Sequence, residues 1–199
     1  PSDKLTLMLM GNYQIKDMTQ KRMRMSGNGE FTVNSKGFGD ISLSALNSLI
    51  HNKYYKLHAG LGVSIPSGSI NKRDGTPASS SARLGYSMQN GSGTYDPFFL
   101  FHSLNDFGDI KLNLQFNYKL RAHKNSKGYG YGNKTNLMAL LSYQWSTWLS
   151  QSLKLSYEHL GSMKGEDNEM NKRMSPAMDS YNQGYKKTFL AISFNILNQ

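Results

Sequence analysis

Three groups of side chains carry enough chemistry to be weighed first: a spaced set of cations, a scatter of thioethers, and one place where a carboxylate neighbours an imidazole. Lys56 and His58, then Lys111, Asn113, Gln115, Asn117, Lys119 and Arg121, then Lys154 and Glu158 recur at every second position, with Lys16 near the start of the chain. Side chains at i and i+2 share one face of a strand, so each run presents a single polar surface. The set is cationic, with Glu158 its one carboxylate. Lining a lumen, such a surface favours anionic or polar solutes, although the same charges could instead bond one another and plug a narrow interior.

The chain has 11 methionines, with Met23 and Met25 in one stretch and Met163, Met170, Met174 and Met178 in another. Thioethers are soft ligands that suit Cu(I), and His51, His58, His102, His123 and His159 are available as auxiliaries, so a copper-handling role is one alternative. No closely spaced His pair accompanies them, and methionine also serves as adaptable apolar filler. Tyr157-Glu158-His159 lies near Ser162, but in a strand Glu158 and His159 point to opposite faces and cannot form a relay. Gly165-Glu166-Asp167-Asn168-Glu169 offers oxygen ligands for a divalent cation, with solvated loop charge as the plainer reading. Gly128-Tyr129-Gly130-Tyr131-Gly132 and Gly91-Ser92-Gly93 do not open a helical pattern after a strand, so tight loop geometry explains them better than a phosphate cradle. The expectation is therefore no catalytic residue, no dedicated metal site, no cofactor and no enzyme activity.

The elements that would position these groups are strands. Ile110, Leu112, Leu114, Phe116, Tyr118 and Leu120 alternate with the polar run from Lys111 to Arg121. Tyr55 to Ile65 and Leu5 to Lys16 repeat the pattern; Leu137 to Gln144, Leu153 to Glu158 and Phe189 to Ile196 are shorter copies. Asp40 to Ile50 alternates and then loses register near Leu46-Asn47, while Phe98-Phe99-Leu100-Phe101 leaves the phase of Thr94 to Leu104 open. That makes about eight strands in a single domain over 1–199. The connections alternate in length. Long segments near 17–37, 66–93, 123–134 and 161–184 are interleaved with short ones at His51-Asn52-Lys53, at Asn105 to Gly108 and at Ser146 to Gln151.

An up-and-down barrel of the outer membrane has this layout, with short turns on the periplasmic side and long loops outside. A strand of about 11 residues, tilted about 45°, rises on the order of 25 Å, the height of the apolar band. Tyr13, Tyr54, Tyr55, Tyr118, Tyr143, Trp145, Trp148 and Tyr157 fall near strand ends, where a girdle of rings would meet headgroups, though ordinary β packing also uses such rings. No run approaches the length of an apolar membrane-spanning helix; Leu137 to Leu141 is the best. The absence of cysteine is compatible with an oxidising compartment. Net charge is +10, but the basic residues are dispersed, and clusters such as Lys21-Arg22-Met23-Arg24, Lys72-Arg73 and Lys172-Arg173 sit in polar, glycine-rich stretches, so nucleic acid is not an expected partner. The chain opens Pro1-Ser2-Asp3, with neither an initiating Met nor an apolar leader, as expected of a processed product or a piece cut from something longer.

Alternation alone leaves a rival fold, a soluble lipocalin-like binder with its apolar face turned inward. Crowding of an eight-stranded interior and long loops at one end both favour the membrane version. Four runs also carry a resemblance: Lys4 to Met10, Gly37 to Leu43, Gly62 to Ile70 and above all Tyr86-Ser87-Met88-Gln89-Asn90-Gly91-Ser92-Gly93-Thr94-Tyr95-Asp96. Over most of its length the chain resembles the outer-membrane transporter family labelled as linked to the meta-pathway of phenol degradation. That resemblance implies a transmembrane barrel in the Gram-negative outer membrane that passes or binds small solutes, anionic or aromatic. It also implies a barrel larger than the eight strands visible here, about 12-stranded, with lipid and lipopolysaccharide around it. The chain departs from the family in lacking an upstream strand region and in ending Phe194-Asn195-Ile196-Leu197-Asn198-Gln199 without a terminal aromatic.

Overall fold

The computed structural model describes residues 4–24, 27–170 and 175–196, with the side chains of 22–24, 27 and 28 outside that description. Its strands in chain order are β1 (Leu5–Met10), β2 (Tyr13–Arg24), β3 (Gly27–Phe38), β4 (Ile41–His51), β5 (Tyr55–Ile65), β6 (Arg73–Thr76), β7 (Ser79–Arg83), β8 (Asp96–Asp106), β9 (Ile110–Lys119), β10 (Tyr129–Gly130), β11 (Lys134–Gln144), β12 (Leu149–Leu160), β13 (Lys164–Gly165) and β14 (Tyr185–Ile196). Eight of them form one antiparallel sheet in the order β1-β4-β5-β8-β9-β11-β12-β14. These are the eight alternating segments, and each lies next to its neighbour in that series. Among the described residues β1 and β14 are the two edges and do not pair with each other, so the sheet is not closed into a barrel.

Three boundaries differ from the sequence reading. The alternation from Leu5 to Lys16 is interrupted at Gly11-Asn12, where β1 leaves the large sheet and β2 continues above it. The segment near 17–37 is not a loop: β2 and β3 pair along their whole length, from Tyr13↔Phe38 to Arg24↔Gly27, as a two-stranded ribbon. A backbone bond from Gly39 N to Asn12 O, 2.8 Å long, ties the base of that ribbon to the sheet. The register slip expected near Leu46-Asn47 falls slightly later, between Ser48 and Ile50, and leaves Leu49 exposed.

Short connections gather at one end of the sheet. Asn52 Oδ1 accepts from the backbone N–H groups of Tyr54 (3.0 Å) and Tyr55 (2.7 Å), and Asp106 Oδ1 accepts from Gly108 N, which holds φ +83°. Both are side-chain-closed turns of the kind Asn and Asp favour. The long segments gather at the opposite end and pack into a cap. Its apolar content is two small clusters: Tyr86, Tyr129, Met163 and Met170 with Tyr131 and Met178 against them, and Val33, Leu84 and Met88 with Met18 and Phe31. Met163, Met170 and Met178 thus serve as packing material around tyrosine rings; Met25 and Met174, and the side chain of Met23, lie outside the described residues.

Pairing register fixes which side chains share a face, because directly opposed residues project to the same side. One row reads Ala59, Phe101, Phe116, Leu137 and Tyr157, and the next Leu57, Ser103, Leu114, Ala139, Leu155 and Leu190. Their face is largely exposed, from Leu114 at 42% and Leu155 at 48% on central strands to Leu190 at 66% on the edge strand, and Leu7, Leu9, Leu61 and Phe101 belong with them, while Leu57, Phe116 and Tyr157 are half-buried. The one strand residue of the large sheet that joins the buried apolar set is Phe98, and it points the other way. No described helix is long and apolar enough to cross a membrane.

Candidate functional site

The opposite face carries the alternating polar residues. Across neighbouring strands His58, His102, Gln115, Met138 and Ser156 form one row; Lys56, Leu104, Asn113, Leu140 and Lys154 form the next. Lys111 lies opposite Asp106 and Ser142, and Asn117 opposite Leu100 and Asn136. Register therefore gathers Lys56, His58, Lys111, Asn113, Gln115, Asn117, Lys119, Lys154 and Glu158 on one side of the sheet. It does not gather them into one site. The face is also less polar than the alternation implied, since Phe98, Leu100, Leu104, Met138 and Leu140 share it. In the Phe98 to Phe101 run, register assigns Phe98 and Leu100 to this face and Phe99 and Phe101 to the apolar one.

Two cavities open on the polar face, one at each end. Near the short turns, a cavity of about 300 Å³ is bordered by Lys53, Tyr54, Lys56, Leu104, Asp106, Lys111 and Asn113. Near the cap, a cavity of about 890 Å³ is lined by the β1–β2 junction (Asn12, Gln14, Lys16), by Asp40, Ser42 and Ser64, by Gln89 and Asn90 of the 86–92 segment, and by Lys119, Arg121, Tyr131, Lys134 and Tyr185. The larger one draws a contribution from both edge strands and most of those between, and it has the denser polar network.

Four cations stand in that wall, each held differently. Lys16 is on the ribbon rather than in the large sheet, and its Nζ donates to the backbone carbonyls of Gln89 (2.6 Å) and Ser87 (2.9 Å). Burial lowers its pKa from the usual lysine value. Arg121 lies just past the end of β9, where Asn133 Oδ1 accepts from its backbone N–H and Gly132 O accepts from Nη1. Its Nε donates to Asp96 Oδ2 at 3.1 Å and its guanidinium packs over the Tyr131 ring. Lys134 Nζ sits 2.9 Å from Glu158 Oε2, and Tyr185 Oη donates to the other oxygen of the same carboxylate. Lys119 differs: its Nζ lies 5.5 Å above the Phe98 ring, and it has no hydrogen-bond or ion-pair partner among the described residues.

Phe98 is seated by Gly62 on the neighbouring strand, where a Cβ would fall 2.3 Å from the ring. Only glycine leaves room for that ring, and the ring in turn supports Lys119. Asp40 closes the loop side of the cavity. Its Oδ1 accepts from Gly68 N, and its Oδ2 accepts from Ser92 N (2.8 Å) and Ser92 Oγ (2.6 Å). Asn90 is only 5% exposed; its Oδ1 accepts from Ser35 Oγ at 2.9 Å, while its Nδ2 is buried without a partner.

Behind this wall the cap is cross-braced. Arg83 and Asp167 form an ion pair at 2.7 Å, and Arg83 donates further to Asn71 Oδ1 and to the carbonyl of Ile70. Glu169 meets Arg73 and Lys127, and the Lys127 hydrogen bond holds its carboxyl below the usual carboxylate range. Two carboxylates of the acidic run at 165–169, Asp167 and Glu169, are therefore matched by basic side chains from distant segments rather than left as solvated loop charge. No group of His, Cys, Asp and Glu able to hold a metal occurs among the described residues. Burial raises the phenol pKa of Tyr86 and Tyr131, and that of Tyr129 to about 12. Gly93 and Gly128 hold φ +72° and +85°, so both glycine-rich runs do contain turns that need glycine.

Glu158 and His159 point to opposite faces, Glu158 toward Lys134 and His159 stacked near Tyr157. His58 and His102 are stacked on each other across β5 and β8, with ring centroids 6.0 Å apart, and His102 Nε2 lies 2.9 Å from Asn113 Oδ1.

 The imidazole pair therefore belongs to the polar face of the sheet, whereas Met163, Met170 and Met178 pack in the cap. Sequence reasoning missed Asn90, Asp40, Asp96 and Lys134. Asn90 lies in a connection that has no periodicity to read, Asp40 and Asp96 stand at the beginnings of segments whose polar face was not singled out, and Lys134 opens β11 ahead of the segment that alternation marked out. His102 was hidden by the phase ambiguity of the aromatic run before it.

Fold and site together define an all-β protein with one large antiparallel sheet, one exposed apolar face, one charged and polar face, and a cap of long connections over a polar cavity. No protein-family model matches this chain, and no curated protein matches it in sequence.

Proposed function

We propose that this chain is an outer-membrane β-barrel, or the greater part of one, that passes or binds small polar solutes. The observation that carries the reading is the uncovered apolar face of the eight-stranded sheet. Fully burying a Leu, Ile or Phe is worth about 1.5–3 kcal/mol, a gain these partly exposed side chains only partly realise, and apolar residues predominate in the rows that cross the strands. A soluble lipocalin-like fold would bury that face as its core, whereas the buried apolar residues here belong almost wholly to the cap. Hydrocarbon is the surrounding that suits the face.

Several features add support. The apolar rows give way toward the cap to Thr135, His159 and Lys186, so the band has a polar upper margin. Exposed Tyr54, Tyr55, Phe107, Trp145 and Trp148 stand at the short-turn end, and Tyr13 and Phe38 stack edge to face at the other. Amphipathic rings favour such interfacial levels. The connections alternate short and long, and the resemblance to an outer-membrane transporter family points the same way. In lipid the open edges of β1 and β14 must find partners, since unpaired backbone groups cost several kcal/mol each there. Closure on each other or through additional strands both meet that need.

The test is direct. Protein expressed with an export signal should fractionate with outer membranes, need detergent to stay in solution, and migrate differently on gels with and without boiling. A monomer that stays soluble without detergent and migrates identically in both lanes would defeat the reading.

A further inference from the structure

We infer that the larger cavity is a binding site for a small hydroxylated monocarboxylate of the sugar-acid type, with Lys119 as its anchoring donor. The inference deepens the proposed function, and it rests on that reading for its physiological setting but not for the binding itself.

Charge sets the class. Of the four cations in the cavity wall, Arg121 is matched by Asp96 and Lys134 by Glu158, and Asp40 offsets one of the two that remain. The wall is thus left with a single positive charge, suited to one anionic group rather than to a dianion or a cation. Position identifies where that anion goes. Lys16 spends its ammonium on two backbone carbonyls, whereas Lys119 has no hydrogen-bond or ion-pair partner among the described residues and is propped on Phe98. A half-buried ammonium on the wall of an open cavity, with no partner of its own, is the group best placed to meet a ligand's anion.

Asn90 adds a fixed polar surface to the same wall: its Oδ1 accepts from Ser35 Oγ, while its buried Nδ2 lies against the ribbon near Gly37 and has no surface open to the cavity. The remaining lining is rich in amide and hydroxyl groups, among them Asn12, Gln14, Ser42 and Ser64. Such groups exchange hydrogen bonds with hydroxyls and offer little to an alkyl chain. A cavity of about 890 Å³ has room for a six-carbon polyol acid with bridging water.

The experiment is calorimetric titration of the detergent-purified protein with gluconate, glucose and hexanoate at low salt. Gluconate should bind at one site, with glucose and hexanoate each at least about tenfold weaker, the size expected for losing a charge-assisted hydrogen bond or a set of neutral ones. Lys119→Met should weaken gluconate by about tenfold or more, and Lys119→Arg should restore most of it. Asn90→Asp keeps the acceptor for Ser35 and adds a negative charge to the wall that cancels its single net positive charge, so it should abolish binding. Lys186→Met, on the apolar side of the sheet, should leave affinity unchanged. Equal affinity for gluconate and glucose, no gluconate binding, or full affinity in Lys119→Met would each overturn the inference. Heat-modifiable migration of every variant is scored separately: its retention without gluconate binding sinks the site alone, and gluconate binding by a protein that needs no detergent sinks the membrane reading alone.

Discussion

Arg83 and Asp167 meet with their side chains only 3% and 2% exposed, and they bridge segments that are far apart in sequence. A buried pair of this kind is costly to break by halves, because the survivor keeps its desolvation penalty without compensation. Arg83→Met should therefore lower the stability of the cap by about 3–5 kcal/mol, read as faster proteolysis or hydrogen exchange within 161–184, while Arg83→Met with Asp167→Leu should recover much of the loss. Tyr129 makes a prediction in pH. Its folded pKa is raised to about 12 by burial, against about 10 for an exposed phenol. The group's contribution to cap stability is full below pH 10 and disappears as pH rises from about 10 to about 12, because the opened cap ionises first. Ultraviolet titration of tyrosinate alongside proteolysis should show the cap loosening in that window, and Tyr129→Phe should move the loosening to higher pH.

At the scale of a strand, β9 allows the two faces to be tested one residue apart. Leu114 belongs to an apolar row with Leu155 and Leu190, and Gln115 belongs to the row of His58 and His102. If the apolar face meets lipid, Leu114→Arg should destabilise the refolded protein by about 2–4 kcal/mol, since a cation near the bilayer midplane costs that much. Gln115→Arg should be close to neutral. Urea refolding into vesicles measures both, and equal costs would contradict the assignment of faces. The β2–β3 ribbon shows a different use of strand pairing. It takes no place in the large sheet, yet it lowers Lys16 onto the 86–92 segment and brings Val33 and Ser35 against the cap. The ribbon thereby supplies a wall of the cavity without belonging to the large sheet.

For the molecule as a whole, the distribution of burial decides the architecture. An ordinary antiparallel sheet buries its apolar face and wets its polar one. Here the apolar face is open, the charged face is overhung by the cap at one end, and the compact apolar packing sits among connections. That inversion is what a hydrocarbon surround would select, and it explains how a chain with 38% hydrophobic residues can carry so many exposed ones. It also makes the open edges of β1 and β14 the weakest part of the arrangement outside lipid, where they invite strand pairing with another chain.

Alternation in the amino-acid sequence was sufficient to determine the eight strands of the large sheet, their antiparallel succession and, apart from Lys16 and the Phe98 to Phe101 run, the membership of each face, because the side-chain period of a strand is two and pairing register preserves it from one strand to the next. It determined Lys56, His58 and the run from Lys111 to Lys119 as one surface for that reason. Tertiary structure alone decided which of those residues meet at a site. Lys119 stands unpaired only because Gly62 makes room for Phe98 beneath it, and Asn90 faces the same cavity only because a connection without any periodicity folds back across the sheet. The ribbon at β2–β3 and the ion pairs of the acidic run were likewise beyond local reading, since their partners lie far along the chain or in segments where no repeating pattern announces a strand.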